Sequence, residues 1–90
     1  HTLLPMEILY VKASDKESTV HTGAESFVTN YSLRELEGQC PFLLRTHKSY
    51  LVHPAYIKGI RRYNLTLQNG VELPVSKGQY MDIKKRLSQN

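Results

Sequence analysis

Cationic and hydroxyl side chains interrupt the apolar segments of this chain at four places. These stretches are "SDKES" (14–18), "THKS" (46–49), "RRYN" (61–64) and "SKGQ" (76–79). Lys and Arg neutralise phosphate and can donate to guanine, while Ser, Thr and backbone N–H groups hold phosphate oxygens. Loops are also where a β scaffold usually carries its contact residues. The residues that we expect to contact a nucleic acid are Ser14, Lys16, Ser18, Arg45, His47, Lys48, Ser49, Arg61, Arg62, Ser76 and Lys77.

Some of these residues also have a structural explanation. His47 can hold its own loop together instead of a phosphate, and Arg61 and Arg62 can lie on a solvated strand end. Ser49 and Ser76 are of the type that commonly occupies turns and helix caps. The sequence alone leaves both interpretations open for these residues.

Catalytic and metal-binding patterns have little support. His47 and His53 are separated by five residues across a predicted strand, which is not the i, i+4 spacing of a helical metal pair. The single cysteine, Cys40, excludes an internal disulfide and makes a thiolate metal site improbable. No glycine-rich phosphate loop is present. We therefore expect no catalytic activity, no metal site and no cofactor.

The charge is unevenly distributed along the chain. Residues 1–45 contain four Lys or Arg against six Asp or Glu, a net charge of −2, whereas residues 46–90 contain eight against two, a net charge of +6. Such an asymmetry favours an anionic partner, with nucleic acid before a membrane surface. A solubilising surface is the simpler alternative, and Lys84, Lys85 and Arg86 also suit the C-terminal dipole of a predicted helix.

The length of 90 residues corresponds to one small domain, 1–90, with one modest core. No apolar run approaches the length of a membrane span, and no signal peptide pattern opens the chain. The chain begins without Met. We therefore expect the C-terminal part of a longer cytoplasmic protein.

The remaining pattern predicts a mainly β domain, since short apolar segments alternate with Pro, Gly, Asn and polar residues. "EILYVKA" is apolar on both faces, which is typical of a central strand. The predicted strands are 7–13, 19–22, 26–29, 42–46, 50–52, 56–60, 64–67 and 71–75. Four side chains are predicted to be buried in the core: Leu44, Leu51, Ile57 and Leu73.

Two helices share the same start signal. Ser32-x-x-Glu35 is a capping box, and Gly38 is predicted to end this short internal helix after about two turns. Ser76-x-x-Gln79 is the second box, at the start of a C-terminal helix. Its apolar stripe consists of Tyr80, Ile83 and Leu87.

The Asn69-Gly70 turn permits a prediction of strand register. A two-residue loop would place Leu67 opposite Glu72, whereas the three-residue loop 68–70 places Leu67 opposite Val71 and keeps the apolar side chains on one face. Since a slip of one residue moves every side chain to the other face, we predict the three-residue loop. Gly70 is then expected to be left-handed, in a bulge.

Four pieces of the chain resemble the LytTR family of DNA-binding domains. They are "ILYVKAS" (8–14), "SLRELE" (32–37), "FLLRTHKSYLVHPAYIKGI" (42–60) and "LTLQNGVELPVSKGQYMDIKKRL" (65–87), which together cover nearly the whole chain. The third and fourth are the specific ones, similar to the family patterns Phe-x-x-x-His-Arg-Ser-Tyr-Ile-Val-Asn and Asn-Gly-x-x-Ile-Pro-Val-Ser-Arg.

The resemblance implies an elongated domain of short antiparallel strands, with one short internal helix and a C-terminal helix. It also implies the output domain of a bacterial response regulator in a two-component system. Such domains place loops in successive major grooves of double-stranded DNA, often at direct repeats in a promoter. The implied partners are this DNA, an N-terminal receiver or other regulatory domain, and a second copy of the chain that forms a dimer on DNA. No interaction with a membrane is expected.

The family's base-contacting positions correspond to the loop near Ser18, to Lys48 and to Lys77. This sequence departs from the family pattern at three places. Lys48 replaces the common Arg, His53 the common Asn, and Lys77-Gly78 a usually more basic pair. Because Lys lacks the bidentate fork of Arg, these departures bear on base preference and on affinity.

Two other functions compete with this interpretation. A small β-barrel that binds RNA or single strands would stack bases on exposed aromatic rings, but Tyr50 and Tyr56 fit core positions. A protein-interaction module with a basic face would show no DNA binding at moderate salt.

Overall fold

The structure is a computed structural model that describes residues 7–88, so the predicted domain 1–90 extends beyond it at both ends. Its eight strands and two helices follow one another as β1 (Ile8–Ser14), β2 (Glu17–Thr22), β3 (Ser26–Thr29), α1 (Leu33–Gln39), β4 (Leu44–His47), β5 (Tyr50–Val52), β6 (Ile57–Arg61), β7 (Asn64–Leu67), β8 (Glu72–Pro74) and α2 (Lys77–Ser88). A 3₁₀ turn, Pro54–Tyr56, joins β5 to β6. The mainly β prediction with an internal and a C-terminal helix is confirmed.

The strands form two antiparallel sheets. One has five strands in the order β3-β2-β1-β5-β4, and the other has three in the order β6-β7-β8. The molecule measures 34 × 24 × 21 Å, which agrees with the expected elongated shape. None of the helices within residues 7–88 is long and apolar enough to cross a membrane.

The five-stranded sheet is covered on both faces, which explains why β1 carries apolar side chains on both of its faces. Ile8 and Val11 of β1 join Leu33 and Leu36 of α1 in one core cluster. Leu9 of β1 joins the side chains of the three-stranded sheet and of α2 in a second cluster. The sheet is thus the middle layer. Ile8 and Val11 share a face although they are three residues apart, because the β1–β2 pairing is irregular between Ile8 and Tyr10.

Edge strands account for two wrong burial predictions. Leu51 and Leu73 are buried as predicted, at 0% and 4% exposure. Leu44 and Ile57 are only half-buried. Both lie in outer strands, β4 and β6, which have a neighbouring strand on one side only.

Helix α1 begins as predicted and ends one residue later than predicted. The Ser32 hydroxyl accepts from the N–H of Glu35, and the Glu35 carboxylate accepts from the N–H of Ser32, which completes the capping box. The helix passes through Gly38 to Gln39 and is capped by Cys40. Because Cys40 precedes Pro41, helical backbone is disfavoured there, so proline and not glycine ends the helix.

The β7–β8 register is confirmed. Leu65 lies opposite Leu73, and the N–H of Leu67 donates to the carbonyl of Val71 at 2.8 Å. Gly70 has φ of 91°, a left-handed value that favours glycine. The alternation of apolar residues was therefore sufficient to choose the loop length.

His53 connects the two sheets at the end of β5. Its Nδ1 accepts from the N–H of Ala55 at 3.2 Å and caps the 3₁₀ turn. Its ring lies 5.3 Å from that of Phe42 and 5.1 Å from that of Tyr56. Burial lowers the pKa of His53, which favours the neutral ring that this cap requires, because a protonated Nδ1 cannot accept a hydrogen bond.

Candidate nucleic-acid interface

The β4–β5 hairpin is held together by one arginine. Arg45 donates from Nε to the carbonyl of His47 and from Nη2 to the carbonyl of Lys48, both at 2.9 Å. Its Nη1 forms an ion pair with Glu37 of α1 at 3.0 Å. The side chain is 30% exposed, and each of its three nitrogens donates to a partner within the protein. Arg45 was expected to contact the ligand, and we now assign it to support of the Lys48–Ser49 turn instead.

The contacts of His47 support the interpretation that this side chain holds its own loop together. Its Nδ1 accepts from the N–H of Ser49 at 3.2 Å, and its ring packs edge-on against that of Tyr50. The carbonyl of Ser49 accepts from the N–H of Ala13 in β1 at 2.8 Å. His47 therefore shapes the turn, and only Nε2 is left to meet a ligand. Lys48 itself is exposed.

The start of α2 is tied to the same hairpin. The N–H of Ser76 donates to the carbonyl of Thr46 at 2.9 Å, and Thr46 lies at an irregularity in the β4–β5 pairing. The Ser76 carbonyl then accepts from the N–H groups of Gln79 and Tyr80, each at 3.0 Å. A shallow depression of about 360 Å³ lies between the two elements and is lined by Arg45, His47, Lys48, Ser76 and Gln79.

The β1–β2 turn lies at the same end of the sheet, because β5 runs antiparallel to β1 and starts beside the end of β1. Ser14 and Lys16 are exposed there, and Asp15 has a left-handed φ of 50°. Ser18 does not fit the prediction. It is only 1% exposed, and its hydroxyl donates to the carbonyl of Tyr31 at 2.8 Å. We therefore assign Ser18 to the core, where its hydroxyl needs a protein partner.

The β6–β7 turn is the fourth part of this surface. Arg61 and Arg62 are exposed at it, as expected for a solvated strand end. The carbonyl of Tyr63 accepts from the N–H of Val75 at 3.1 Å, immediately before α2. The Lys77 ammonium lies 5.7 Å from the centre of the Tyr63 ring. This turn therefore adjoins the start of α2.

Tyr63 is the surface residue that the sequence analysis did not identify. Tyr50 and Tyr56 are half-buried and pack against the second core cluster, which agrees in part with the core positions predicted for them. Tyr31 and Tyr63 are exposed, at 47% and 44%. The only sequence signal for Tyr63 was its position inside the polar stretch 61–64, which by itself does not separate an exposed ring from a buried one.

Two other features of the described residues bear on the chemistry. Lys85 and Arg86 occupy the last turn of α2 and are exposed, which agrees with the helix-dipole interpretation. Within residues 7–88, no group of three or more His, Cys, Asp or Glu side chains could hold a metal ion.

A family model and several known proteins resemble this chain. The family model described as LytTr DNA-binding domain matches residues 1–88. The chain is 39% identical over 74 residues to the transcriptional regulatory protein BtsR of Escherichia coli K12, covering 77% of this chain and 30% of that protein. It is 33% identical over 88 residues to the sensory transduction protein LytT of Bacillus cereus, covering 90% of this chain and 36% of that protein.

The chain thus spans about a third of the length of these curated relatives. Its fold matches a solved LytTr DNA-binding domain from Bacillus cereus with a TM-score of 0.81 and 26% sequence identity. That match covers 98% of this chain and 86% of the other. The family model, the relatives and the fold agree, and this chain belongs to the family of LytTr DNA-binding domains.

Proposed function

We propose that this chain binds double-stranded DNA in a sequence-specific manner, with its turns inserted in successive major grooves. The observation that carries the proposal is the set of backbone hydrogen bonds that joins three separate segments, each of which carries an exposed lysine. Ser49 accepts from β1 beside the β1–β2 turn, and Thr46 accepts from Ser76 at the start of α2. Family membership supports DNA as the ligand, and the +6 charge of residues 46–90 supports contact with phosphates.

The proposed roles follow from how each residue is held. Lys48 stands on a turn fixed by Arg45, and base readout requires such a fixed position because hydrogen bonds to base edges are directional. Lys77, in the first turn of α2, is the second base contact. The proposed contacts to phosphate are Ser14, Lys16, His47, Ser49, Arg61, Arg62 and Ser76.

The relatives' names support a further part of the proposal. One is a transcriptional regulatory protein and another a sensory transduction protein. We propose that this chain is the output part of a bacterial response regulator acting in the cytoplasm, with a receiver or other regulatory domain preceding it. Two copies would then occupy direct repeats in a promoter, which a comparison of duplexes carrying one and two copies of a selected site would test.

The test of the DNA contacts begins with selection of bound duplexes from a random pool. The selected duplex and a scrambled one are then titrated with salt for the Lys48→Ala and Arg62→Ala variants. Lys48→Ala should lose roughly 1–3 kcal/mol on the selected duplex and lose discrimination at one base position. Arg62→Ala should weaken both duplexes alike and reduce the slope of log K against log salt by about one.

Three outcomes would contradict the proposal at different points. Equal weakening of both duplexes by Lys48→Ala would make Lys48 a phosphate contact. Unchanged binding in both variants would place the DNA on another face. Tighter binding to a single strand or an RNA of the selected sequence than to the duplex would favour the single-strand rival.

A further inference from the structure

Tyr63 occupies a backbone conformation that its side chain does not favour. Its φ is 63°, in the left-handed region that glycine and asparagine adopt at lower cost than a residue with a bulky side chain. The ring is 44% exposed, so burial of apolar surface offsets only part of the cost of this backbone conformation. A strained position filled by an aromatic side chain points to a role for the ring itself.

Three contacts of Tyr63 lead to the segment at the start of α2. Its carbonyl accepts from the N–H of Val75 at 3.1 Å. Its ring meets that of Tyr80 edge-on, with centres 5.8 Å apart and an interplanar angle of 68°. The Lys77 ammonium lies 5.7 Å from its ring centre, within the range of a cation–π interaction. The ring is therefore held in place beside the first turn of α2.

We infer that Tyr63 is a positioning residue whose ring holds the Lys77 ammonium for contact with DNA, an inference that rests on the proposed function. A free lysine on the surface loses rotamer freedom when it binds, and a lysine already held loses less. The ammonium carries three donors, so contact with the ring on one side leaves donors for acceptor atoms on the DNA. The β6–β7 turn thereby contributes to base readout without touching a base.

A double-mutant cycle between Tyr63 and Lys77 tests this role on the duplex selected from the random pool. Tyr63→Phe keeps the ring and should bind as the wild type does. Tyr63→Asn suits the left-handed turn but lacks the ring, and should bind about two- to fivefold more weakly, the range expected for an exposed cation–π contact. In a Lys77→Ala background, Tyr63→Asn should have no further effect. Tyr31→Asn removes an equally exposed tyrosine elsewhere and should leave binding unchanged.

A measurement without DNA tests the contact itself. The ε-methylene protons of Lys77 should show an upfield ring-current shift in the NMR spectrum of the free protein. This shift should persist in Tyr63→Phe and disappear in Tyr63→Asn. Absence of the shift in the wild type would overturn the contact.

The failures of the two proposals are distinguishable. A wild-type chain that binds no duplex overturns the proposed function and, with it, the role of Tyr63. A wild-type chain that binds, combined with a Tyr63→Asn loss that is as large in the Lys77→Ala background as without it, overturns the positioning role alone. A loss in Tyr63→Phe equal to that in Tyr63→Asn would also overturn it, because the hydroxyl would then be the active group.

Discussion

The β4–β5 turn and the β1–β2 turn lie at the same end of the five-stranded sheet but are supported differently. The β4–β5 turn is fixed from three directions, by two hydrogen bonds from Arg45, by the Ala13–Ser49 bond to β1 and by the Thr46–Ser76 bond to α2. The four residues 14–17 that form the β1–β2 turn are all exposed. The β4–β5 turn is thus tied to two neighbouring elements, whereas the β1–β2 turn is closed only by the pairing of Ser14 with Glu17.

The two turns also differ in local charge. Lys16 stands between Asp15 and Glu17, so the stretch 15–17 has a net charge of −1. Lys48 has His47 and Ser49 as neighbours and shares its depression with Ser76. Acidic neighbours weaken the attraction of a cation to phosphate. This difference in charge and support is the reason why we propose base readout for the β4–β5 turn and only a phosphate contact for the β1–β2 turn.

Truncation of Leu51, a buried side chain that supports both turns, should have the largest effect on stability. Leu51 is fully buried in β5 and lies opposite both Val11 of β1 and Arg45 of β4. Leu51→Ala should lower the free energy of unfolding by roughly 2–5 kcal/mol, because it removes buried methyl groups and leaves a cavity. Denaturant unfolding measures this. Leu44→Ala, at a half-buried site in the same hairpin, should cost less, and an equal cost would show that β4 is not an exposed edge.

Removing the donors of Arg45 should leave the β4–β5 turn with less support, as the β1–β2 turn has. Arg45→Met keeps much of the apolar side chain but removes the donors to the His47 and Lys48 carbonyls. We expect roughly 1–3 kcal/mol weaker binding to the selected duplex and faster amide exchange at Ser49. The ion pair with Glu37 should contribute little, since both side chains are partly exposed.

Lys16→Met is the matched control on the β1–β2 turn. It should weaken the selected and scrambled duplexes equally and leave amide exchange at Ser49 unchanged. A larger loss of discrimination from Lys16→Met than from Arg45→Met would reverse the comparison and assign base readout to the β1–β2 turn.

The smallest expected effect concerns a hydroxyl beneath the β4–β5 turn. Thr46 is fully buried, and among the described residues its Oγ1 has no hydrogen-bond partner. Because an unpaired buried hydroxyl is costly, the isosteric Thr46→Val should raise the free energy of unfolding by about 1 kcal/mol. Thermal unfolding measures this, with the half-buried Thr19→Val as a control that should change by less than about 0.5 kcal/mol. A destabilised Thr46→Val would mean that the hydroxyl has a partner.

Local hydrogen bonding explains what could be predicted from the sequence. The Ser32 capping box joins residues three apart in the chain, and the β7–β8 register depends on alternation over a few positions around Gly70. The polar stretches were also correctly predicted to interrupt the apolar strands. These features depend on neighbours in the chain, so a single sequence carries enough information to predict them.

The burial of Ser18, Leu44 and Ile57 depends on long-range packing and could not be predicted from the sequence. Ser18 is buried, and its hydroxyl donates a hydrogen bond to the carbonyl of Tyr31, 13 residues away, a bond that no local pattern predicts. Leu44 and Ile57 are half-buried because their strands lie at sheet edges.

The sequence by itself determined the secondary structure, the family resemblance and the set of candidate basic residues, since each of these depends on residue type and spacing. Only the tertiary structure separated Arg45, which supports the turn, from Lys48, which is exposed on it. It alone brought Tyr63 to Lys77 across 14 positions of the chain. The physical reason is that a hydrogen-bond partner or a ring contact is set by which strands and turns meet in space.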